Sequence, residues 1–138
     1  MYPIVRNILA VILGFALGSL VNMALIQLSG YVIPPPEGGD VTTMEGLKAT
    51  MHLFEPKHFL LPFLAHALGV LVGAFVATKI AVTNQLKVAL VVGFLFLLGG
   101  IASVMILPSP LWFTVVDLVV YFPMAYLGWL LGVKKHTT

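Results

Sequence analysis

Four apolar stretches, residues 4–29, 58–82, 88–107 and 111–133, take up most of this chain, and each is long enough to cross about 30 Å of hydrocarbon at a helical rise of about 1.5 Å per residue. Inside a bilayer every backbone N–H and C=O must find a partner within the protein, so stretches of this length and composition read as helices. A soluble domain carries about 25% charged residues. Here 9% of 138 residues are charged and mean hydropathy is +1.09, too little polar surface for a globule in water. The expected fold is all-α: one membrane domain, residues 1–138, with four transmembrane helices in an antiparallel bundle. The first stretch carries Arg6 near its start, as a signal peptide would. Its apolar run is much longer than the usual hydrophobic region of about 7–15 residues and no Ala-x-Ala site closes it, so it reads as a retained span.

Basic residues in short loops are held on the cytoplasmic side. Arg6, Lys79, Lys87, Lys134 and Lys135 fall on one side, which places both termini in the cytoplasm. Lys48 and Lys57 fall on the other, accompanied by Glu37, Asp40, Glu45 and Glu55. The net charge of +2 is spread over span ends and forms no basic face, so no nucleic-acid partner is expected. The absence of cysteine removes disulfides and thiolate chemistry.

The one long connection, residues 30–57, is expected outside. Pro34, Pro35 and Pro36 favour an extended polyproline segment, released by Gly38 and Gly39. Thr42-x-x-Glu45 matches a capping box, and Met44, Leu47, Met51 and Phe54 recur at three- and four-residue steps, as in a short amphipathic helix. Such a helix can cover the mouth of the bundle or dock a partner. Pro56 reads as the start of the second span, and Pro62 and Pro123 predict kinks. Tyr31, Trp112, Phe113 and Trp129 lie near span ends, where interfacial aromatic residues anchor.

Between helices in lipid, small residues permit the close approach that drives association. Ala10, Gly14 and Gly18 form one ladder, and Ala65, Gly69, Gly73, Ala77 and Ala81 another; Gly93 and Gly100 mark the third span, Gly128 and Gly132 the fourth. These faces serve packing within one bundle, and they are also what a homo-oligomer would use.

Few strongly polar residues sit inside the spans: Asn22, Gln27, His66 and Asp117. A carboxylate at mid-bilayer costs about 2.5–3.5 kcal/mol on insertion scales and should face protein or water. At about 100° per residue, Asp117 shares a stripe with Tyr121, Met124 and Gly128. Counting helical rise from the outer ends puts Asn22 at about 10 Å, His66 at about 12 Å and Asp117 at about 9 Å, with Ser103 shallower. All four spans thus place a polar group in one layer of the outer leaflet. Asp117, His66, Asn22, Ser103 and Tyr121 are the candidate ligand or proton site, and structural hydrogen bonding across helices is the plainer alternative. A His–Asp pair also suits a proton relay, because imidazole titrates near neutrality. A metal set drawn from His52, Glu55, His58 and His66 is disfavoured because Pro56 interrupts the spacing. No cofactor is called for.

Tyr31-x-x-Pro34-Pro35-Pro36, Ala65-x-x-x-Gly69-x-x-x-Gly73 and Pro110-x-Trp112-Phe113 together resemble a loose group of small, uncharacterised bacterial inner-membrane proteins with four spans. The resemblance covers nearly the full length and implies a multi-pass inner-membrane location, with no activity to carry over. The expected function is that of a non-enzymatic membrane component, self-associating or accessory to a partner at the outer loop. The alternative is an oligomeric transporter or channel for a small solute or cation, using Asp117 and His66; against it, the inner half of every span is apolar. An embedded enzyme or lipid-binding protein, with His66 and Asp117 as acid and base, is the third class.

Overall fold

The computed structural model describes residues 2–134, which are helical with no strand among them. Four helical segments are long and apolar enough to cross a membrane: Pro3–Val32, Pro56–Ile80, Gln85–Ile106 and Leu111–Gly132. This is the pattern of a multi-pass membrane protein. Lys135 lies outside the described residues.

Helix α1 (Pro3–Val32) starts with proline in its first turn, where no intrahelical donor is lost. It stops at Ile33, whose extended backbone (φ −127°, ψ 95°) is the conformation that a following proline imposes. Pro56–Phe59 forms a 3₁₀ turn leading into α3 (Leu60–Ile80). Pro62 therefore falls in the first turn of α3, and its missing N–H coincides with the passage from 3₁₀ to α geometry, so it breaks no established ladder. Helix α4 (Gln85–Ile106) follows Asn84, held at φ 49°. The fourth span is two helices, α5 (Leu111–Val119) and α6 (Tyr121–Gly132), interrupted at Val120. The cause is Pro123, which has no N–H to offer the Val119 carbonyl four residues back.

The loop departs from expectation in detail. Helix α2 covers only Met44–Thr50, and its cap is Thr43, whose hydroxyl accepts from the Gly46 N–H at 3.0 Å. Thr42 serves the preceding turn instead: its N–H and hydroxyl both donate to Asp40 Oδ1, at 2.8 and 2.6 Å. Those bonds hold the exposed Asp40 carboxyl below its ordinary range, the Thr42 hydroxyl being the larger cause. The predicted Thr42/Glu45 box is thus shifted by one residue, and a reciprocal box forms at Glu55 and His58. Extended backbone reaches only to Pro35, since Pro36 opens a 3₁₀ turn closed by Gly38 at φ 69°. A second 3₁₀ turn, Met51–Leu53, ends the amphipathic pattern before Phe54.

Helix α3 is central and touches α1, α4 and α6. Gly14 lies against Gly73 and Ala77, and Gly18 against Gly69, so α1 and α3 pass in opposite directions at backbone contact. On its other side, Gly128 meets Leu71 and Ala74 and Gly132 meets Thr78, so α6 runs parallel to α3. All six of these glycines are buried. Their close approaches are the observed form of the small-residue ladders, and each is occupied within the chain.

Two apolar clusters fill the interior: Ala10, Ala77, Ala81, Val88 and Val92, and Val70, Ala74, Ala89, Tyr121 and Ala125. A third, at the loop end, joins Met51 to Phe59 and Phe113, with Leu47 and Phe54 against it. Phe113 is therefore buried and does not anchor at an interface, which corrects its expected role: its ring packs 4.5 Å from that of Phe59. Tyr31 and Trp112 are exposed, while Trp129 packs partly against the interior.

Candidate functional site

The polar residues of the spans converge at the loop end of the helices. His66, on the second turn of α3, donates through Nδ1–H to Asp117 Oδ1 on α5 at 2.7 Å. The Tyr121 hydroxyl, one turn further along the same span and across the break at Val120, reaches toward Asp117 Oδ2 at 3.4 Å. The His66 and Tyr121 rings stack at 6.2 Å. Asp117 is 3% exposed and Tyr121 2%, whereas the His66 side chain remains 21% exposed. The carboxylate thus lies behind the imidazole, which presents the pair to open space.

Gly100 of α4 makes this arrangement sterically feasible. A Cβ there would collide with the Tyr121 hydroxyl and ring, displacing the phenol from its place beside Asp117. Gly69 plays a related part beneath Asn22, whose own Cβ would stand 3.1 Å from any methyl at Gly69. Asn22 Oδ1 is buried and has no hydrogen-bond partner among the described residues. A buried amide oxygen without a partner costs about 1–3 kcal/mol, so this atom marks a place where a donor belongs.

Two cavities meet at these side chains. The larger, of about 360 Å³, includes Asn22, His66, Ser103 and Asp117 in its lining and is roofed by Val41, Met44, Leu47, Met51 and Phe54 from the loop. The smaller, of about 220 Å³, also touches Asn22, His66, Gly100 and Ser103, and adds Tyr121 with Phe15, Ser19 and Phe96. Asn22, His66, Gly100 and Ser103 therefore form the wall common to both.

The five predicted site residues, Asn22, His66, Ser103, Asp117 and Tyr121, are thus gathered in one place. Gln27 stays exposed on α1 and takes no part. His58 also lines the larger cavity, but its Nδ1 accepts from the Glu55 N–H at 2.9 Å, and no group of three metal-ligand side chains forms among the described residues. Ser19 was missed, although its place three residues before Asn22 puts both on one face of α1. The aromatic and methionine walls carried no polar signal that could have revealed them.

No family model, curated protein or solved structure matches the chain. Function is read from its own residues.

Proposed function

We propose that this chain is a multi-pass inner-membrane component, with both termini cytoplasmic and the loop outside, whose four-helix bundle holds a ligand in an outward-facing cavity. The single observation that carries this reading is the larger cavity itself: about 360 Å³, mostly apolar, with Asn22, His66, Ser103 and Asp117 gathered on its wall. Concave, largely apolar pockets with a few convergent polar groups are the usual form of small-molecule sites, and their volumes start at about 300 Å³. Binding is favoured over conduction because the opposite half is filled by the cluster of Ala10, Ala77, Ala81, Val88 and Val92. A solute moving from His66 and Asp117 toward the cytoplasm would have to part that cluster. A partner at the loop or a second copy of the chain would have to use surfaces other than the glycine faces, which are occupied internally.

Single cysteines test the reading on this cysteine-free chain. V104C, in the wall of the larger cavity, should react with a small membrane-impermeant thiol reagent added to intact cells, and N84C should react only after permeabilisation. Labelling of N84C in intact cells overturns the orientation, and failure of V104C to react in the folded protein overturns the outward pocket.

A further inference from the structure

We infer that the larger cavity takes an uncharged amphiphile, a hydroxyl-bearing head on an apolar chain, with the head on Asn22, His66 and Ser103; this rests on the pocket reading above. The polar wall decides the head. Asn22 Oδ1 is an acceptor without a donor. His66 Nδ1–H is engaged by Asp117, which leaves Nε2 as a second acceptor in that tautomer. The Ser103 hydroxyl, also in the lining, can donate or accept. Asn22 Nδ2 adds N–H donors to the same wall, so the wall offers both acceptors and donors, which a hydroxyl head, able to donate and accept, complements.

Charge excludes the other heads. Neither Lys nor Arg lines the cavity, and a carboxylate, Asp117, stands in its wall, so a phosphate or carboxylate head would enter low-dielectric space with one like charge and no permanent cation. An ammonium head fares no better. Asp117 is 3% exposed, with Oδ1 held by His66 and Oδ2 facing the Tyr121 hydroxyl, so the one anion offers no free face to a cation.

Size and shape decide the rest. A cavity of about 360 Å³ equals roughly twelve water volumes at about 30 Å³ each, room for a polar head and the first part of a chain. Exposed as well as lining, Met23 on α1 and Met44 on α2 mark where the remaining chain can leave the cavity. Thioether side chains adapt their shape to such a chain.

The test uses the full chain in bilayer nanodiscs and three probes that share a twelve-carbon chain: 1-dodecanoylglycerol, dodecanoate and dodecyltrimethylammonium. The readouts are the labelling rate of V104C and the thermal unfolding midpoint of the unmodified chain. 1-Dodecanoylglycerol should slow labelling about tenfold, saturably, at concentrations where the charged probes slow it less than twofold, and it alone should raise the midpoint. Combined with V104C, N22L should abolish this protection, and S103A, a smaller change, should weaken it. Equal protection by all three probes, no protection by any, or full protection in both N22L and S103A overturns the inference. V104C that labels but is protected by none of the probes leaves the outward pocket standing and defeats only the ligand class; V104C that never labels defeats the pocket.

Discussion

The two ends of this molecule treat their polar side chains in opposite ways. At the end where α1 begins, the polar side chains are matched. Arg6 Nε–H donates to the Ile80 carbonyl at 2.8 Å, Asn7 Nδ2–H to the Thr83 carbonyl and hydroxyl at 3.0 and 2.9 Å, and the Val82 N–H returns a bond to Asn7 Oδ1 at 3.1 Å. Gln85 closes the turn by donating to the carbonyls of Thr78 and Ala81. Below this tie, α1 and α3 touch through Gly14 and Gly73. At the loop end, two cavities lie among the helices, a carboxylate is buried behind a histidine, and an amide oxygen has no partner among the described residues. One end is closed and saturated, the other open and unsaturated, and a chain that only needed to fold would have little reason to keep the second.

The sharpest way to break this contrast is to overfill each end. G73L should cost about 3 kcal/mol in detergent unfolding, because the added side chain meets the Gly14 carbonyl and the Phe96 and Val92 side chains in a contact that cannot relax without separating α1 from α3. G99L, beside the smaller cavity with nothing within reach of its Cβ, should change stability by less than about 0.5 kcal/mol. Comparable losses in the two would erase the distinction between a packed and an open end.

A double-mutant cycle on D117N and H66A gauges the polar wall. Membrane hydrogen bonds are worth about 0.6 kcal/mol on average and at most about 1.7. The 2.7 Å bond between a part-buried imidazole and a buried carboxylate should give a coupling near the upper value, about 1.5 kcal/mol, read from unfolding of both single variants and the pair. Additive losses would reduce His66 and Asp117 to neighbours. At the opposite end, N7A should cost about 0.5–1 kcal/mol, the ordinary value of exposed hydrogen bonds, and should speed amide exchange at Val82, which loses its acceptor.

The smallest effect belongs to the loop. Asp40 is held below its ordinary value of 3.8 by Thr42. A carboxyl whose folded value is depressed stabilises the turn above its unfolded value and loses that contribution as pH falls through the folded one. Exchange of the Thr42 amide, which donates to Asp40, should therefore quicken as pH drops below 3.8, after correction for intrinsic rates. D40N should remove that dependence.

The span limits and the polar layer were readable because both follow from local rules. Helical rise fixes depth and small residues fix which face turns inward, so Asn22, His66 and Asp117 could be aligned without knowing any contact. The His66–Asp117 bond itself rested only on that alignment. What escaped was set by neighbours distant in sequence. Thr42 fits a capping box by spacing, but Asp40 claims its hydroxyl and the cap passes to Thr43. Phe113 has the composition of an interfacial anchor and turns inward because Phe59 and Met51 offer it a surface. Of the cavity roof, Met44, Leu47, Met51 and Phe54 carried the pattern of a helix that can cover the bundle mouth, whereas Val41 carried no such signal and becomes a wall only once the loop folds back over the helices.

The interruption at Val120 gives the fourth span a mechanical character. Helix α6 is pinned to α3 through Gly128 and Gly132, whereas α5, nine residues and so about 13 Å long, joins it through a joint whose ladder Pro123 has cut. A tilt of about 10° about that joint carries the far end of α5 through about 2 Å, yet moves Asp117, only three residues from the joint, by less than about 1 Å. Helix α5 is thus a lever with its fulcrum near the His66–Asp117 bond: Phe113, near the long arm's tip, moves more than twice as far as Asp117, so the cavity's upper wall shifts more than the polar contact.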